Sequence, residues 1–410
     1  MNAPTTVVAP PRTPGTVPDA VPFTVPALAD AARDAAQRVL RSGWLTTGPR
    51  CAEFEAALSA YLGQPYVVTV ASCTQALELS LHALHLDPGA PVLTPSLTFC
   101  GAVGAIAHAG YRPVLVDIDE ATLTPSPRNV ADAVARLGRT AGAGRHAAGH
   151  SGSRPAAMVV CDLGGYPVDW AALADAAGLP YDRIVVDAAH GPGGAVGRAE
   201  AGRSPYATCL SFYATKNLPV GEGGAVATYD ESLAGWLRAA RLHGMSKDAW
   251  RRYLPGGSWR YDVPEVGYKA NLTDLAAAIG CAQLAALPGW QDRRRELVAR
   301  YDAVLAAAPL ADVVRLPARH PDHAWHLYQV RVPRRDEVAA RLAEHGVATS
   351  VHFIPVHQLS GYARLLGADE LAAVPVTDRV ADELLSLPLY PGLADEAVDR
   401  VSGLLANLLA

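Results

Sequence analysis

The stretch that decides the fold lies at residues 211–218, which read Ser-Phe-Tyr-Ala-Thr-Lys-Asn-Leu, and at residues 221–224, which read Gly-Glu-Gly-Gly. Lys216 follows an apolar run at 207–212 that predicts a buried strand, and a second strand-like run, 225–228, follows the glycine-rich turn. A lysine at the end of a buried strand can be desolvated and lose its proton, so that its amine attacks a carbonyl carbon and forms a Schiff base. A surface lysine in a hairpin turn is the alternative that this stretch leaves open by itself.

A carboxylate is predicted near this lysine. Residues 183–191 read Arg-Ile-Val-Val-Asp-Ala-Ala-His-Gly, a pattern typical of a buried parallel strand that ends at Asp187. Such a carboxylate could bind a metal, a ribose or a pyridinium nitrogen, and a strand-end lysine favours the third, because pyridoxal phosphate (PLP) needs a lysine for its imine and an acidic partner for its ring nitrogen. Ala189 is small enough for a flat ring to approach. His190 could reach the ring's phenolic oxygen, although a histidine after a strand is more often structural.

The phosphate of such a cofactor needs a binding site, and a strand-helix junction offers one. Residues 66–70 read as a strand, and a helix with apolar residues at Leu77 and Leu81 follows it. Ser72 or Thr74 can cap this helix. Its unpaired N–H groups and the positive end of its dipole suit a phosphate. An ordinary helix cap is the alternative, because many helices begin with Ser or Thr.

These pieces, in this order, resemble the DegT/StrS family of PLP-dependent sugar aminotransferases. The resemblance covers nearly everything from Val21 to the C-terminus. Besides the lysine and aspartate segments, it rests on SGWLTTGP at 42–49, TPSLTF at 94–99, GYKAN at 267–271, HAWHLY at 323–328, SVHF at 350–353 and SLPLYP at 386–391. It implies an α/β, aspartate-aminotransferase-like fold (PLP fold type I), with a mostly parallel sheet in a large domain and a small α+β C-terminal domain.

The resemblance also implies roles for individual residues. Lys216 forms the Schiff base and moves the proton between the amino acid's α-carbon and the cofactor, and Asp187 pairs with the pyridinium nitrogen. Thr47 and His326 bind substrate, with His326 near a carboxylate. The remaining implied cofactor contacts are Ser72, Cys73, Thr74 and Ser211 around the phosphate, Phe99 stacked on the ring, Ala189, His190 by the phenolic oxygen, and Asn271 from a second subunit.

Two positions depart from the family's usual pattern. Cys73 stands where the family usually has glycine, which costs little if the contact there is a backbone N–H and φ stays negative. Residues 161–167, Cys-Asp-Leu-Gly-Gly-Tyr-Pro, stand where the family commonly has a histidine-containing segment, so Asp162 is expected to change the donor and acceptor contacts.

The expected activity is transfer of an amino group from L-glutamate or L-glutamine to a keto sugar, by a ping-pong Schiff-base mechanism in a homodimer with shared active sites. Residues 350–357 and 259–262 resemble members that act on nucleotide-linked 4-keto sugars, in antibiotic or cell-surface sugar biosynthesis. A keto-cyclitol aminotransferase is the alternative. PLP-dependent sugar dehydratases of this superfamily lack the lysine, so Lys216 argues against that activity. A non-catalytic regulatory protein would need a DNA-binding module, which the sequence does not show.

Composition narrows the class of protein further. With 410 residues, of which 50% are apolar, the chain can bury a large core, and a net charge of −5 with a pI near 6.2 gives no electrostatic case for binding nucleic acid. No apolar run reaches the roughly 18–20 residues that span a membrane, and no signal peptide is recognisable. The scattered cysteines predict a reduced, cytoplasmic protein. His323 and His326 lack the acidic or thiol partners of a recognisable metal site, so no metal is expected.

The predicted organisation has three parts. Residues 1–20 read as a disordered tail, 21–290 as the large PLP-binding domain with a flexible insertion at 136–155, and 291–410 as the small domain. Strand-like and helix-like segments alternate through the large domain, which predicts a mostly parallel sheet with helices on both faces. Separate helices are expected at 272–287 and 291–308, and a strand at 349–353.

Overall fold

A central sheet of seven strands organises the computed structural model. The structure describes residues 20–142, 154–197, 203–245, 256, 261–307 and 310–409. The strands are β1 (Tyr66–Val70), β2 (Pro91–Pro95), β3 (Arg112–Val116), β4 (Ala157–Cys161), β5 (Ile184–Asp187), β6 (Ala207–Ser211) and β7 (Gly224–Thr228). Their order is β1-β7-β6-β5-β4-β2-β3; β7 runs antiparallel to both of its neighbours, β1 and β6, and the other neighbouring strands pair in parallel. The mostly parallel α/β sheet is therefore confirmed.

Helices cover both faces of this sheet, as the strand burial requires. They are α1 (Asp30–Ser42), α2 (Pro49–Leu62), α3 (Cys73–His82), α4 (Cys100–His108), α5 (Pro127–Gly142), α6 (Trp170–Ala177), α7 (Glu231–Ala240) and α8 (Asp274–Leu305). Apolar residues of α2, α5, α6 and α8 form the core on one face, and those of α3, α4 and α7 form the core on the other. Because both faces are buried, the strands read as continuous apolar runs rather than as alternating patterns.

The predicted break between two helices near residue 290 is wrong. A single helix, α8, runs for 32 residues with Pro288 inside it. Proline removes one backbone hydrogen bond from a helix, but Leu287 before it and Gln291 and Arg294 after it are all buried. Packing on both sides therefore outweighs the local cost. The expected domain boundary falls inside this helix, and the division into two domains stays a prediction.

The C-terminal part of the chain is built on a two-stranded antiparallel sheet, β8 (Tyr328–Arg331) with β9 (Leu384–Leu387). The predicted strand at 349–353 is not formed; only Ser350 makes a bridge, to Ser386, before the chain leaves this edge. The helices of this part are α9 (Arg335–Glu344), α10 (Ser360–Leu365), α11 (Ala368–Leu371), α12 (Pro375–Ala381) and α13 (Asp395–Leu409). Residues of α8, α9, α13 and both strands share one hydrophobic core.

The predicted flexible insertion begins too early. Helix α5 continues to Gly142, because Val130, Ala133 and Leu137 recur on one face and are buried in the core. Residues 143–153 of that insertion lie outside the described residues, as do residues 1–19 of the predicted tail. None of the described helices combines the length and the apolar composition that crossing a bilayer requires.

Candidate active site

A cavity of about 500 Å³ lies at the ends of β5 and β6, next to the start of α3. In open α/β sheets, ligands bind at this carboxyl edge of the parallel strands. The structure brings together all the predicted site residues except Thr47 and Asn271. Those that line the cavity are Ser72, Cys73, Thr74, Phe99, Asp187, Ala189, His190, Ser211, Lys216 and His326.

Asp187 is the last residue of β5 and only 5% exposed. Its Oδ1 accepts a hydrogen bond from the Ala189 backbone N–H at 3.1 Å and one from the Cys73 thiol at 3.7 Å. Burial raises the pKa of Asp187, although the Ala189 N–H and the charge of Lys216 both favour the ionised form. The Ala189 N–H and Lys216 offset only part of the cost of burying the Asp187 charge. A further cationic partner, such as the protonated ring nitrogen of PLP, would therefore stabilise the carboxylate.

Lys216 lies in the turn that follows β6, where its backbone N–H donates to the Tyr213 carbonyl at 2.9 Å. Burial lowers the pKa of Lys216, an effect that exceeds the opposing attraction of Asp187. A lowered pKa increases the neutral fraction of the amine, which is the form that attacks a carbonyl. The alternative of an ordinary surface lysine in a hairpin turn is therefore not what the structure contains.

The start of α3 has the geometry of an anion site. Ser72 caps the helix as expected, since its Oγ accepts from the Gln75 N–H at 3.2 Å. The N–H groups of the first helical turn have no acceptor within a helix and are oriented towards a ligand at its N-terminus. A Cβ on Gly224 would lie 2.5 Å from the Ser72 carbonyl carbon and 2.7 Å from the Cys73 nitrogen. Only glycine therefore lets β7 approach the helix this closely.

Two histidine rings contact each other at one wall of the cavity: the ring centroids of His190 and His326 are 4.3 Å apart and the ring planes are tilted by 36°. His190 Nδ1 accepts the Gly164 N–H at 3.1 Å, so the neutral ring carries its proton on Nε2. His326 Nδ1 is 3.0 Å from Asn217 Oδ1. Burial lowers the pKa of both rings well below the ordinary histidine value, and the charge of Lys216 lowers both further. Both rings are therefore neutral near pH 7.

Three residues of the site were given no role by the sequence analysis. Asn217 directly follows Lys216 in the sequence, and its buried amide contacts His326, which is 109 residues away. His352 and Phe353 line the cavity from the C-terminal part of the chain. Phe353 stacks on His190 at 5.9 Å and lies 5.7 Å from the exposed ring of Phe99. Burial lowers the pKa of His352 to about 4, and Lys216 contributes to the same shift.

Thr47 and Asn271 do not line this cavity, but they contact each other. Asn271 Nδ2 donates to Thr47 Oγ1 at 2.7 Å, and Thr47 Oγ1 donates to the Leu272 carbonyl at 2.5 Å. The predicted substrate contact Thr47 and the contact predicted to come from a second subunit, Asn271, are thus next to one another in this chain. Their roles stay predictions.

The two residues that depart from the family pattern, Cys73 and Asp162, both contact Asp187. Cys73 directs its thiol to the Asp187 carboxylate, a contact that glycine could not make. The backbone N–H of Asp162 donates to the Asp187 carbonyl at 3.0 Å, and the Asp162 carboxyl accepts the Val168 N–H at 3.1 Å. Burial raises the pKa of Asp162 to about 8, and the nearby charge of Asp187 adds to the rise. Among the described residues, no group of His, Cys, Asp and Glu side chains is placed to hold a metal ion.

A lysine, a buried carboxyl and a helix N-terminus around one cavity, at the end of this sheet, define the class of fold type I PLP enzymes. Residues 26–406 match the DegT/DnrJ/EryC1/StrS aminotransferase family, and the chain belongs to this family. It is therefore a PLP-dependent aminotransferase of the sugar aminotransferase family, and the fold, enzyme class and cofactor expected from the sequence are confirmed.

Three similar proteins illustrate the relationship. The spore coat polysaccharide biosynthesis protein SpsC of Bacillus subtilis is 38% identical over 371 residues, which are 88% of this chain and 90% of that protein. The PMP form of Spr1654 from Streptococcus pneumoniae superposes with a TM-score of 0.82 at 29% identity, covering 95% of this chain and 98% of that one. The sugar aminotransferase CalS13 from Micromonospora echinospora gives a TM-score of 0.77 at 30% identity, covering 94% and 99%.

Proposed function

We propose that this protein transfers the amino group of L-glutamate or L-glutamine to the keto group of a nucleotide-linked 4-keto sugar. The observation that carries the proposal is the meeting of Lys216 and Asp187 in one cavity, in a chain of the sugar aminotransferase family. When bound, PLP supplies an electron sink that stabilises negative charge on the amino acid's α-carbon. The chain's own residues would bind the cofactor, keep its ring nitrogen protonated and carry the proton of the amino acid's α-carbon.

Lys216 is proposed as the covalent anchor and the proton carrier. Its lowered pKa provides the neutral amine that bonds to the cofactor's aldehyde carbon. With PLP bound, the free amine of Lys216 would accept the proton from the amino acid's α-carbon and would return a proton to the cofactor. The position of Lys216 in the cavity, close enough to Asp187 for their charges to interact, supports both duties.

Asp187 is proposed to keep the pyridine nitrogen protonated. The Ala189 N–H and the Cys73 thiol both donate to Oδ1, which leaves Oδ2 as the oxygen best placed to accept from the ring. His190 Nε2–H would be the donor available to the phenolic oxygen of PLP, because Nδ1 already accepts from Gly164. The ring would thus be held between an acceptor and a donor of fixed tautomer.

The phosphate and the two faces of the ring complete the proposed cofactor site. Ser72 caps α3, Cys73 and Thr74 begin it, and Ser211 ends β6. All four line the same cavity, so their N–H and hydroxyl groups would bind the phosphate dianion at the helix N-terminus. Ala189 and Phe99 line the same cavity and would contact the ring. The residues present therefore fit PLP.

A homodimer with shared sites is part of the proposal. Thr47 and Asn271 bond to each other at 2.7 Å but lie off this chain's own cavity. They can contribute to an active site only if a second subunit presents them. The pair is expected to complete the neighbour's phosphate and substrate contacts.

The sugar assignment rests on the relatives and on the cavity's composition. SpsC is described by polysaccharide biosynthesis and CalS13 as a sugar aminotransferase. The segment 350–357, which resembles members acting on nucleotide-linked 4-keto sugars, brings His352 and Phe353 to the cavity. Of the second such segment, 259–262, residues 259 and 260 lie outside the described residues. The presence of Lys216 in the cavity argues against a lysine-free dehydratase.

A substrate panel tests the proposal. Purified holoenzyme is mixed with glutamate or glutamine and with nucleotide-linked 4-keto sugars, other nucleotide-linked keto sugars and keto-cyclitols, and each product is read by its mass. Amination of a nucleotide-linked 4-keto sugar is expected, with bleaching of the visible absorbance by the donor alone. Lys216→Ala is the matched control and is expected to form no product. Amination of keto-cyclitols only, or of no acceptor, would contradict the proposal.

A further inference from the structure

The orientation of the Asn217 side chain is fixed by its neighbours. Its Nδ2 donates to the carbonyl oxygens of Pro192 and Ala324, both at 2.9 Å. These two bonds use both amide hydrogens, so Oδ1 is the atom that faces His326 Nδ1 at 3.0 Å. An amide oxygen only accepts hydrogen bonds. His326 must therefore carry its proton on Nδ1, which leaves a lone pair on Nε2.

The surroundings of His326 keep the ring neutral and fixed. Burial lowers its pKa, and every charged or titratable neighbour that acts on it, His190, Lys216, Arg294 and His352, lowers it further. Arg294 is buried beneath the segment and donates to the backbone carbonyls of Trp325 and His326 at 3.1 and 3.5 Å. The Arg294 guanidinium thus fixes the backbone at His326, and the Asn217 amide fixes the His326 ring.

The two adjacent histidines, His190 and His326, consequently have opposite tautomers. His190 accepts at Nδ1 from Gly164 and carries its proton on Nε2, whereas His326 donates at Nδ1 to Asn217 and has a bare Nε2. Two rings only 4.3 Å apart therefore offer one donor and one acceptor at the cavity wall. With the donor assigned to the cofactor's phenolic oxygen, the acceptor remains for the substrate.

We propose that His326 Nε2 accepts a hydrogen bond from a hydroxyl group of the keto-sugar substrate, and that Asn217 is the positioning residue that fixes this tautomer. A carboxylate, which has no hydrogen to donate, is repelled by a bare imidazole lone pair; a sugar hydroxyl is matched to it. This proposal differs from the sequence-based expectation that His326 lies beside a carboxylate, and the two are distinguished by experiment below. This inference rests on the proposed function, since it concerns the sugar that the enzyme aminates.

The test compares the best acceptor of the wild-type holoenzyme with its deoxy analogues, one for each sugar hydroxyl. For one analogue, kcat/KM is expected to fall by about tenfold to a hundredfold, because the buried acceptor is left unpaired. In His326→Phe this discrimination is expected to shrink to within about threefold, since the ring remains but its lone pair is gone. His108→Phe is the matched control, because His108 is exposed and outside the cavity; it is expected to keep the discrimination.

A second measurement separates hydroxyl from carboxylate recognition. The donor half-reaction is followed by the loss of visible absorbance on adding glutamate, without any acceptor. His326→Phe is expected to slow the acceptor half-reaction at least about tenfold more than the donor half-reaction. A larger loss in the donor half-reaction would assign His326 to the donor carboxylate and overturn the inference.

Asn217→Asp provides an independent variant. A carboxylate beside Nδ1 would raise the pKa of His326 and place a proton on Nε2, so the preference for the hydroxyl-bearing acceptor is expected to disappear as pH falls, with a midpoint absent from the wild type. If this variant fails to fold, His326→Phe decides alone. Equal use of every deoxy analogue by the wild type, or discrimination that survives in His326→Phe, overturns the inference while the proposed function stands. If no keto sugar is aminated at all, the proposed function fails and this inference fails with it.

Discussion

Replacing Gly224 with alanine tests whether the glycine-rich turn exists to let β7 approach the start of α3. The added Cβ would lie 2.5 Å from the Ser72 carbonyl carbon and 2.7 Å from both the Ser72 oxygen and the Cys73 nitrogen. Carbon atoms in contact are usually about 3.5–4.0 Å apart, so the overlap is about 1 Å. All three atoms are backbone atoms, and Gly224 is paired to Val70 and Ser211 on both sides. Neither element can move without breaking sheet pairing or the helix cap.

Overpacking of this kind costs typically about 1–3 kcal/mol, and the rigid surroundings favour the upper end, about 3 kcal/mol of unfolding free energy. Because β7 is paired on both sides, the overlap is expected to displace the start of α3, which carries the proposed phosphate donors. Loss of one hydrogen bond to a charged group costs about 1.5–3 kcal/mol, which weakens PLP binding by roughly tenfold to a hundredfold.

Two assays measure these effects separately. Denaturant unfolding of the apoprotein gives the stability change, and titration of the apoprotein with PLP, followed by absorbance, gives the dissociation constant. Gly235→Ala is the matched control, because Gly235 is inside α7 and a Cβ there meets nothing within 4 Å. That variant is expected to gain up to about 1 kcal/mol from helix propensity and to keep its PLP affinity. If Gly224→Ala unfolds and binds PLP like the wild type, the steric reasoning is refuted.

Three further results are expected. Asp187→Asn keeps PLP bound but slows α-proton removal by orders of magnitude, because an amide supports the ring's positive charge weakly; a near wild-type rate of donor bleaching in a stopped-flow experiment would show that Asp187 is not the ring's partner. Mixing inactive Lys216→Ala and Asn271→Ala subunits is expected to restore some activity, because one active site of a hybrid dimer carries both substitutions and the other carries neither. Shared sites would be contradicted if no activity returns after verified subunit exchange, or if light scattering shows an active monomer. The stability of Asp162→Asn relative to the wild type is expected to increase between about pH 4 and about pH 8, because burial raises the pKa of Asp162 to about 8 and the folded wild-type protein therefore loses stability across that window. Denaturant midpoints measured at several pH values check this. A stability difference that is independent of pH would argue against a buried, protonated carboxyl.

Much of the sheet, and the two central site residues Lys216 and Asp187, could be predicted from local sequence. The strand at Tyr66–Val70 has the predicted bounds, because a short apolar run begins there directly after a segment with glycine and proline. Lys216 and Asp187 were predicted because each follows a buried strand, and the ends of parallel strands lie at one edge of the sheet.

The rest depended on contacts between distant parts of the chain. Pro288 and Gly289 read locally as a helix end, but packing on both sides of them continues α8. The strand predicted at 349–353 has only one bridging residue, Ser350, and its last two residues, His352 and Phe353, line the cavity instead. The tautomer of His326 depends on Asn217, 109 residues away, and no local pattern encodes that pairing.

The continuity of α8 also limits how this chain can be recombined with its relatives. The helix begins at Asp274, which accepts the backbone N–H groups of Arg50 and Cys51, and it carries Arg294, which holds the His326 carbonyl. Each residue of an α-helix adds about 100° of rotation and about 1.5 Å of rise. Adding or removing one residue between these two points would turn the Arg294 guanidinium away from the carbonyls that it binds, with no change in any active-site side chain. A chimaera joined near residue 290 must therefore conserve helical phase before it conserves sequence.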